Sequence, residues 1–127
     1  MDWTGNQCQP YPYVVNSNGE LMNRIAQDDM IRGVTIAAGG FYGPQGRVLR
    51  APLADPMQNQ KIADFRHANH YITNYEMESS ALAGLAGILG HKATTVCMVI
   101  ANRYAQEMNT NYKHSMEELI EIILKRI

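Results

Sequence analysis

A chain of 127 residues with a formal net charge of −1 and 46% hydrophobic residues has the make-up of one soluble domain, residues 1–127. It is long enough to bury about two-thirds of its unfolded surface. Its basic residues form no run, which argues against nucleic acid as a partner.

No apolar stretch reaches the roughly 18 residues of a membrane span, and Ala93 to Ala101 falls short of it. The N-terminal stretch lacks the basic start and apolar middle of a secretory leader. Cys8 and Cys97 stand in different settings, and Cys97 lies in an apolar run as a buried free thiol would. No disulfide is expected, and the implied setting is reducing and cytoplasmic.

In chain order, residues 1–18 open with Trp3, Pro10, Tyr11, Pro12 and Tyr13 without periodicity, which reads as a loop or arm. Ser17 and Glu20 form a Ser-x-x-Glu capping box. It predicts a helix to about Ala26 with Leu21, Met22 and Ile25 on one face. Ile31 to Ala38 is a β-prone run, and the glycine-rich loop Gly39 to Arg47 follows it directly.

Asp55 and Pro56 suit an N-cap and first helical residue, predicting a helix towards His67 with Ile62 and Phe65 inward. That helix should end between His67 and His70. Without further ligands nearby, both read as surface histidines and no metal site is expected. Tyr71 to Tyr75 is a second strand.

The acidic junction Glu76-Met77-Glu78 then leads into a small-residue helix with Leu82, Leu85, Ala86 and Leu89 at helical spacing, capped by Gly90. Gly84 and Gly87 each disfavour a helix by about 1 kcal/mol relative to alanine, which points to a close neighbour. Ala93 to Ala101 is β-branched at five of nine positions, the pattern of a central strand covered on both faces. It ends in Asn102-Arg103. Ser115-x-x-Glu118 opens a last helix with Leu119, Ile120, Ile123 and Leu124 inward. Alternating helices and strands make the chain α/β with right-handed crossovers.

Three predicted strand ends therefore carry polar groups: Gln45 with Arg47, Glu76 with Glu78, and Asn102 with Arg103. Parallel neighbours would bring them to one crevice, where open α/β sheets bind ligands. A glutamine amide presents a donor and an acceptor side by side, which suits a uracil edge, and an arginine adds charged donors for a carbonyl oxygen. Paired glutamates suit vicinal hydroxyls such as those of a ribose, and Phe41 could pack on the ring or the sugar. Glu76 and Glu78 could equally do no more than complement the dipole of the following helix.

Phe41-Tyr42-Gly43-Pro44-Gln45-Gly46-Arg47, Asn74-Tyr75-Glu76-Met77-Glu78-Ser79 and Val99-Ile100-Ala101-Asn102-Arg103, in this order and spacing, resemble the C-terminal half of the uridine phosphorylases within the nucleoside phosphorylase family. The first block is specific to the uridine branch, whereas Glu-Met-Glu is shared with purine members. The purine branches place an aspartate after the strand that matches Val99 to Ala101, and here Asn102-Arg103 stands instead.

The resemblance implies a three-layer αβα sandwich with a mixed central sheet, of which this chain represents the C-terminal part. It implies Gln45 and Arg47 at the uracil and Phe41 packed against the nucleoside. Glu76, Met77 and Glu78 would lie at the ribose, with Glu78 the partner of its hydroxyls. Ile100, Ala101 and Arg103 would line the base pocket. Arg47, Gln45 and Glu78 are the implied catalytic groups.

The implied reaction is the reversible phosphorolysis of uridine to uracil and ribose 1-phosphate. Phosphate is then a co-substrate and no cofactor is needed. Negative charge growing on the departing base would be held by Arg47 and Gln45, against an oxocarbenium-like sugar.

The family's phosphate-binding glycine loop and arginines have no counterpart in residues 1–30, and Ala37-Ala38-Gly39-Gly40 replaces polar residues that relatives carry before the Phe-Tyr pair. The chain is therefore expected to hold the base and ribose half-site, to be inactive alone, and to self-associate through an unpaired sheet edge. A monodisperse monomer in sedimentation at micromolar concentration would count against self-association. A phosphorylase or nucleosidase of broader, purine specificity and a non-catalytic nucleoside-binding or assembly fragment are the alternatives.

Overall fold

In a computed structural model, residues 12–103 and 105–127 are described. Four helices, α1 (Gly19–Ile25), α2 (Gln58–Asp64), α3 (Ser79–Ile88) and α4 (Tyr112–Leu124), alternate with five strands. The strands are β1 (Val34–Ala37), β2 (Arg66–His67), β3 (His70–Glu76), β4 (Ala101–Asn102) and β5 (Glu107–Met108). The order in the main sheet is β1-β3-β2, with β1 parallel and β2 antiparallel to β3, so the sheet is mixed as expected. β4 and β5 form a separate hairpin.

The parallel pair is the part that positions the site. Thr35, Ile36 and Ala37 face Asn74, Tyr75 and Glu76, and the Ala38 amide continues the ladder to the Glu76 carbonyl at 2.8 Å. Both strands thus end at one edge, as parallel neighbours joined through α2 must. Asn74 Oδ1 accepts from the Thr35 and Thr73 hydroxyls at 2.8 and 3.0 Å, which ties the two strands by side chains as well.

Helix ends follow local chemistry. The cap of α1 is Asn18 rather than Ser17, its side chain accepting from the Leu21 amide at 3.0 Å. Glu20, expected in the capping box, pairs instead with Lys92.

Asp55 does organise the entry to α2, its carboxylate accepting from the Met57 amide at 2.9 Å, but a turn intervenes and the helix starts at Gln58. It ends at Asp64, before both histidines. His67 and His70 face each other across the β2–β3 hairpin and are exposed. Phe65, expected inward, is exposed because the chain leaves the helix there.

α3 closes as a Schellman motif. Gly90 is left-handed at φ 73°, its amide bonds the Gly87 carbonyl at 3.4 Å, and the His91 amide bonds Ala86 at 2.8 Å. The face of α3 turned inward carries Ala83, Gly84 and Ala86, while Leu82, Leu85 and Leu89 are exposed. The close neighbour inferred from Gly84 and Gly87 is also absent among the described residues. A Cβ at 84 would make ordinary contact with Val15 at 3.7 Å, and one at 87 would meet nothing.

α4 begins three residues before the predicted Ser115 cap. Leu119 and Ile123 are half-buried, but Ile120 and Leu124 are exposed and Ile122 replaces them on the inner face. Its C-terminal end is tied back to α1. Arg126 donates to the Ile25 carbonyl at 2.8 Å and to both carboxylate oxygens of Asp29 at 3.0 and 2.8 Å.

The main correction concerns Ala93 to Ala101. Residues 91–100 form no ladder, and only Ala101 and Asn102 pair, with Met108 and Glu107. Apolar content favours burial but does not supply a ladder: β2 pairs with β3 only at His70 and Tyr71, yet among the described residues no backbone hydrogen bond joins the run to the rest of β3. The run is held at its ends, the Asn18 amide donating to Ala93 and the Asn109 amide to Ile100. Cys97, expected buried, is exposed as a residue.

The core is correspondingly thin. Among the described residues Ile25 and Ala38 are the buried apolar ones and Gln45 the buried polar one, short of the burial that the chain length allows. The arm expected over residues 1–18 lies outside the described residues up to 11. Residues 12–18 carry no helix or strand, and the Tyr13 hydroxyl lies 3.1 Å from that of Ser80 on α3.

Candidate active site

The glycine-rich loop after β1 folds into a 3-10 turn, Gly43–Gln45, closed by Gly46. Gly46 has φ 70°, and a Cβ there would overlap Asn59 Oδ1 at 1.8 Å, so this position requires glycine. Asn59 and Gln58 of α2 donate to the Gly46 and Pro44 carbonyls at 2.8 and 3.1 Å. The helix between the two strands thereby fixes the loop that carries Gln45.

Gln45 is only 5% exposed, and two arginines converge on it. Arg47 donates to its Oε1 at 3.3 Å and to the Phe41 carbonyl. Arg103 donates to its Oε1 at 3.3 Å and to its carbonyl at 2.6 Å. The Arg47 guanidinium carbon lies 3.5 Å from the centre of the Phe41 ring, and Tyr42 meets Phe41 edge-on at 5.2 Å. Arg103 lies 5.4 Å from the ring centre of Tyr75.

Neither Arg47 nor Arg103 has a carboxylate within 4 Å among the described residues. Burial, and after it the charge of Arg103, push the Arg47 pKa down from its ordinary value, with Tyr42 opposing.

One expectation for Gln45 changes. Both guanidinium groups use its Oε1, so the amide does not offer a free acceptor beside its donor. The Nε2 group bonds nothing among the described residues and is the free donor. Together with the arginines it forms an edge of donors only, which matches carbonyl oxygens and developing negative charge.

At the end of β3 the two glutamates part ways. Glu76 turns onto the first turn of α3. One carboxylate oxygen accepts from the Glu78 and Ser79 amides, each at 2.7 Å, and the other from the Ser79 hydroxyl at 2.6 Å. Burial opposes its ionisation, but the Ser79 hydroxyl and the Glu78, Ser79 and Met77 amides outweigh it and hold the carboxyl below its ordinary value. Glu76 thus takes the helix-complementing role that its position allowed. Glu78 and Met77 are exposed at the same edge, and the Glu78 carboxylate accepts no hydrogen bond among the described residues.

The third block arrives without its strand. Arg103 reaches Gln45 although residues 93–100 are unpaired, so the first and third predicted strand ends meet through this side chain, whose other neighbour is Tyr75, next to Glu76. Ile100 lines an open depression of about 390 Å³ with Val99, Asn102, Glu107, Met108 and Asn109, to which Phe41, Gln45 and Arg47 do not contribute. Ala101 is exposed and pairs with Met108.

Beside β3, burial and the charge of Glu76 raise the Cys97 thiol pKa, and a hydrogen bond with Asn74 partly offsets them. Among the described residues no three His, Cys, Asp or Glu side chains gather as metal ligands, and no helix is long and apolar enough to cross a membrane.

Tyr75 was legible only as a strand residue. Its contact with Arg103 depends on a side chain 28 positions away (103 − 75), and no local pattern announces such a contact. Asn59 carries its signal in retrospect, as a polar helix residue opposite a glycine that must be left-handed.

The sequence pattern of the phosphorylase superfamily matches residues 4–127, and the chain belongs to that superfamily. It is 37% identical over 91 residues to "Uridine phosphorylase A" of Schistosoma mansoni, covering 70% of this chain and 30% of that protein. It is also 37% identical over 75 residues to the "Uridine phosphorylase" of Thermococcus kodakarensis, covering 59% and 26%. "Inactive uridine phosphorylase B" of S. mansoni is 33% identical over 75 residues, covering 58% and 25%. The chain thus spans between a quarter and a third of the length of these relatives. No solved structure matches it.

Proposed function

We propose that this chain carries the base and ribose half-site of a uridine phosphorylase, an enzyme for the reversible phosphorolysis of uridine to uracil and ribose 1-phosphate. The observation that carries the reading is the buried Gln45 held between Arg47 and Arg103, with no carboxylate on either arginine among the described residues. The free donors of Arg47 and of Gln45 Nε2 suit the carbonyl oxygens of uracil, and they suit better still the anion that it becomes when the glycosidic bond breaks. Cytosine would place an amino donor, where uracil has a carbonyl oxygen, against Arg47, which can only donate. Phe41, held under Arg47, packs against the nucleoside. Met77, Ile100 and Ala101 add apolar contact around base and sugar.

On the sugar side the unengaged Glu78 accepts from the ribose hydroxyls. Glu76, whose acceptors serve α3, fixes the turn that presents it. The nucleophile in this reading is phosphate, so no activated side chain is required. The three motif blocks contain no phosphate-binding loop, and turnover depends on anion-binding groups outside them. The single domain of residues 1–127 would form part of a three-layer αβα sandwich. A structure of its native assembly with one face of the β1–β3 sheet bare would overturn that architecture.

The test is uracil release from uridine by the 127-residue chain, with and without phosphate, beside a calorimetric titration with uracil. Uracil binding without release is the expected result. Phosphate-dependent release would overturn the half-site reading, and absence of uracil binding would overturn the base site altogether. The printed name of the inactive relative favours a second reading, a nucleoside-binding chain without turnover in any assembly. Turnover on addition of an anion-binding half in trans separates the two.

A further inference from the structure

We propose that Tyr75 is a positioning residue of the base site: its ring holds Arg103, and Arg103 fixes the orientation of Gln45. The inference rests on the reading of the Gln45 cluster as a base site, and it adds to that cluster a residue outside the donor set.

Arg103 leaves the β4–β5 hairpin at an exposed turn, and no described residue of its own element anchors its long side chain. Among the described residues, two things hold the guanidinium in place: its bonds to the carbonyl and Oε1 of Gln45, and the Tyr75 ring 5.4 Å away. A guanidinium beside an aromatic ring is attracted by the ring's quadrupole, more strongly where water is excluded. Tyr75 sits in the parallel ladder opposite Ile36, so the backbone fixes its place.

The Tyr75 hydroxyl is buried and without a hydrogen-bond partner among the described residues. An unpartnered buried hydroxyl disfavours the folded state, so it does not account for the tyrosine. What the position uses is the ring.

The consequence for the base site is direct. Gln45 presents Nε2 as its free donor because two guanidinium groups take its Oε1. Without the ring, Arg103 swings towards solvent and one of the two donors leaves Oε1. The amide then turns freely, and its donor is no longer held towards a carbonyl oxygen of the base.

The experiment measures uracil affinity by calorimetry on the full chain. Tyr75→Phe should keep uracil affinity within about 2-fold of the parent, since the ring remains. Tyr75→Leu should weaken it by about 5- to 10-fold and shift the side-chain amide resonance of Gln45. Arg103→Lys should act similarly, and the double variant should be no worse than Arg103→Lys by itself. Additive losses, or a Tyr75→Phe as damaging as Tyr75→Leu, would overturn the proposal.

Should Tyr75→Leu not fold, a series of fluorinated phenylalanines at position 75 keeps the shape while draining the ring face. Uracil affinity should fall stepwise along that series, and a flat response refutes the role of the ring. Failure of the site reading itself appears separately, as a parent chain without affinity for uracil. The side-chain amide resonance of Gln45 then still decides the relay. It should move in Tyr75→Leu and in Arg103→Lys and stay in Tyr75→Phe, and an unmoved signal in Tyr75→Leu overturns the proposal.

Discussion

The Gln45 cluster and the Glu76–Ser79 junction lie at the same edge of the sheet, at the ends of paired parallel strands, and they use their polar groups in opposite ways. At the junction, both oxygens of Glu76 accept from the chain's own first helical turn. At the cluster, the acceptor Oε1 of Gln45 is taken by two cations, and the donors on Arg47 and Gln45 Nε2 are left over. A strand end in an α/β sheet is a place where ligands can bind. Whether a given residue there serves a ligand depends on which of its hydrogen-bonding groups the fold has left free.

The largest contrast should come from substitution on each side of this divide. Arg47→Ala removes a charged donor from a site with no substitute, and uracil affinity should fall by about 10- to 100-fold, the range for a hydrogen bond involving a charged group. Glu76→Gln should leave uracil affinity nearly unchanged and reduce thermal stability instead. Calorimetric titration and thermal melts on the two variants check both halves. A stability loss in Arg47→Ala as large as in Glu76→Gln, with affinity intact, would reverse the assignment.

A smaller effect sharpens the junction. The folded-state pKa of Glu76 is depressed, so its contribution to stability is present above the unfolded value of about 4.5. It is lost as pH falls through the lower, folded value. Replacing a capping acceptor removes about 1 kcal/mol of stability. Urea melts of the parent and of Glu76→Gln should therefore differ at neutral pH and converge as the solution is acidified below pH about 4.5. Curves that stay parallel into acid would mean that the carboxylate charge is not what α3 uses.

What was legible in the sequence follows the same division. Phe41, Gln45 and Arg47 stand within seven residues after a strand, and Gly43, Pro44 and Gly46 set the turn between them, so local chemistry specified both the loop and its contents. The parallel pairing of β1 with β3 followed from two β-prone runs separated by a helical one.

The Ala93 to Ala101 run failed for a physical reason. Hydrophobic, β-branched residues disclose an appetite for burial, but a ladder needs a partner strand in hydrogen-bonding register, and that register is settled by parts of the chain far away. The leucines of α3 misled similarly. Spacing identified the helix and its Gly90 stop, but not that the small face, rather than Leu82, Leu85 and Leu89, would turn inward. Glu76 and Glu78 could not be told apart by spacing, because the choice between helix and ligand lies in side-chain rotation.

The smallest expected effect concerns α3 itself. Its two interior glycines looked like sites of close approach, yet a Cβ at Gly87 would meet nothing within 4 Å. With no described residue near that point, Gly87→Ala changes only the backbone. It should then stabilise the chain by up to about 1 kcal/mol through helix propensity alone. Gly84→Ala, with Val15 at ordinary contact distance, should gain less. A gain at 87, read from urea melts, identifies that face as open in the folded chain. A loss there means that something packs on it closely in solution, and the small residues of α3 then mark a contact surface, as their sequence first suggested.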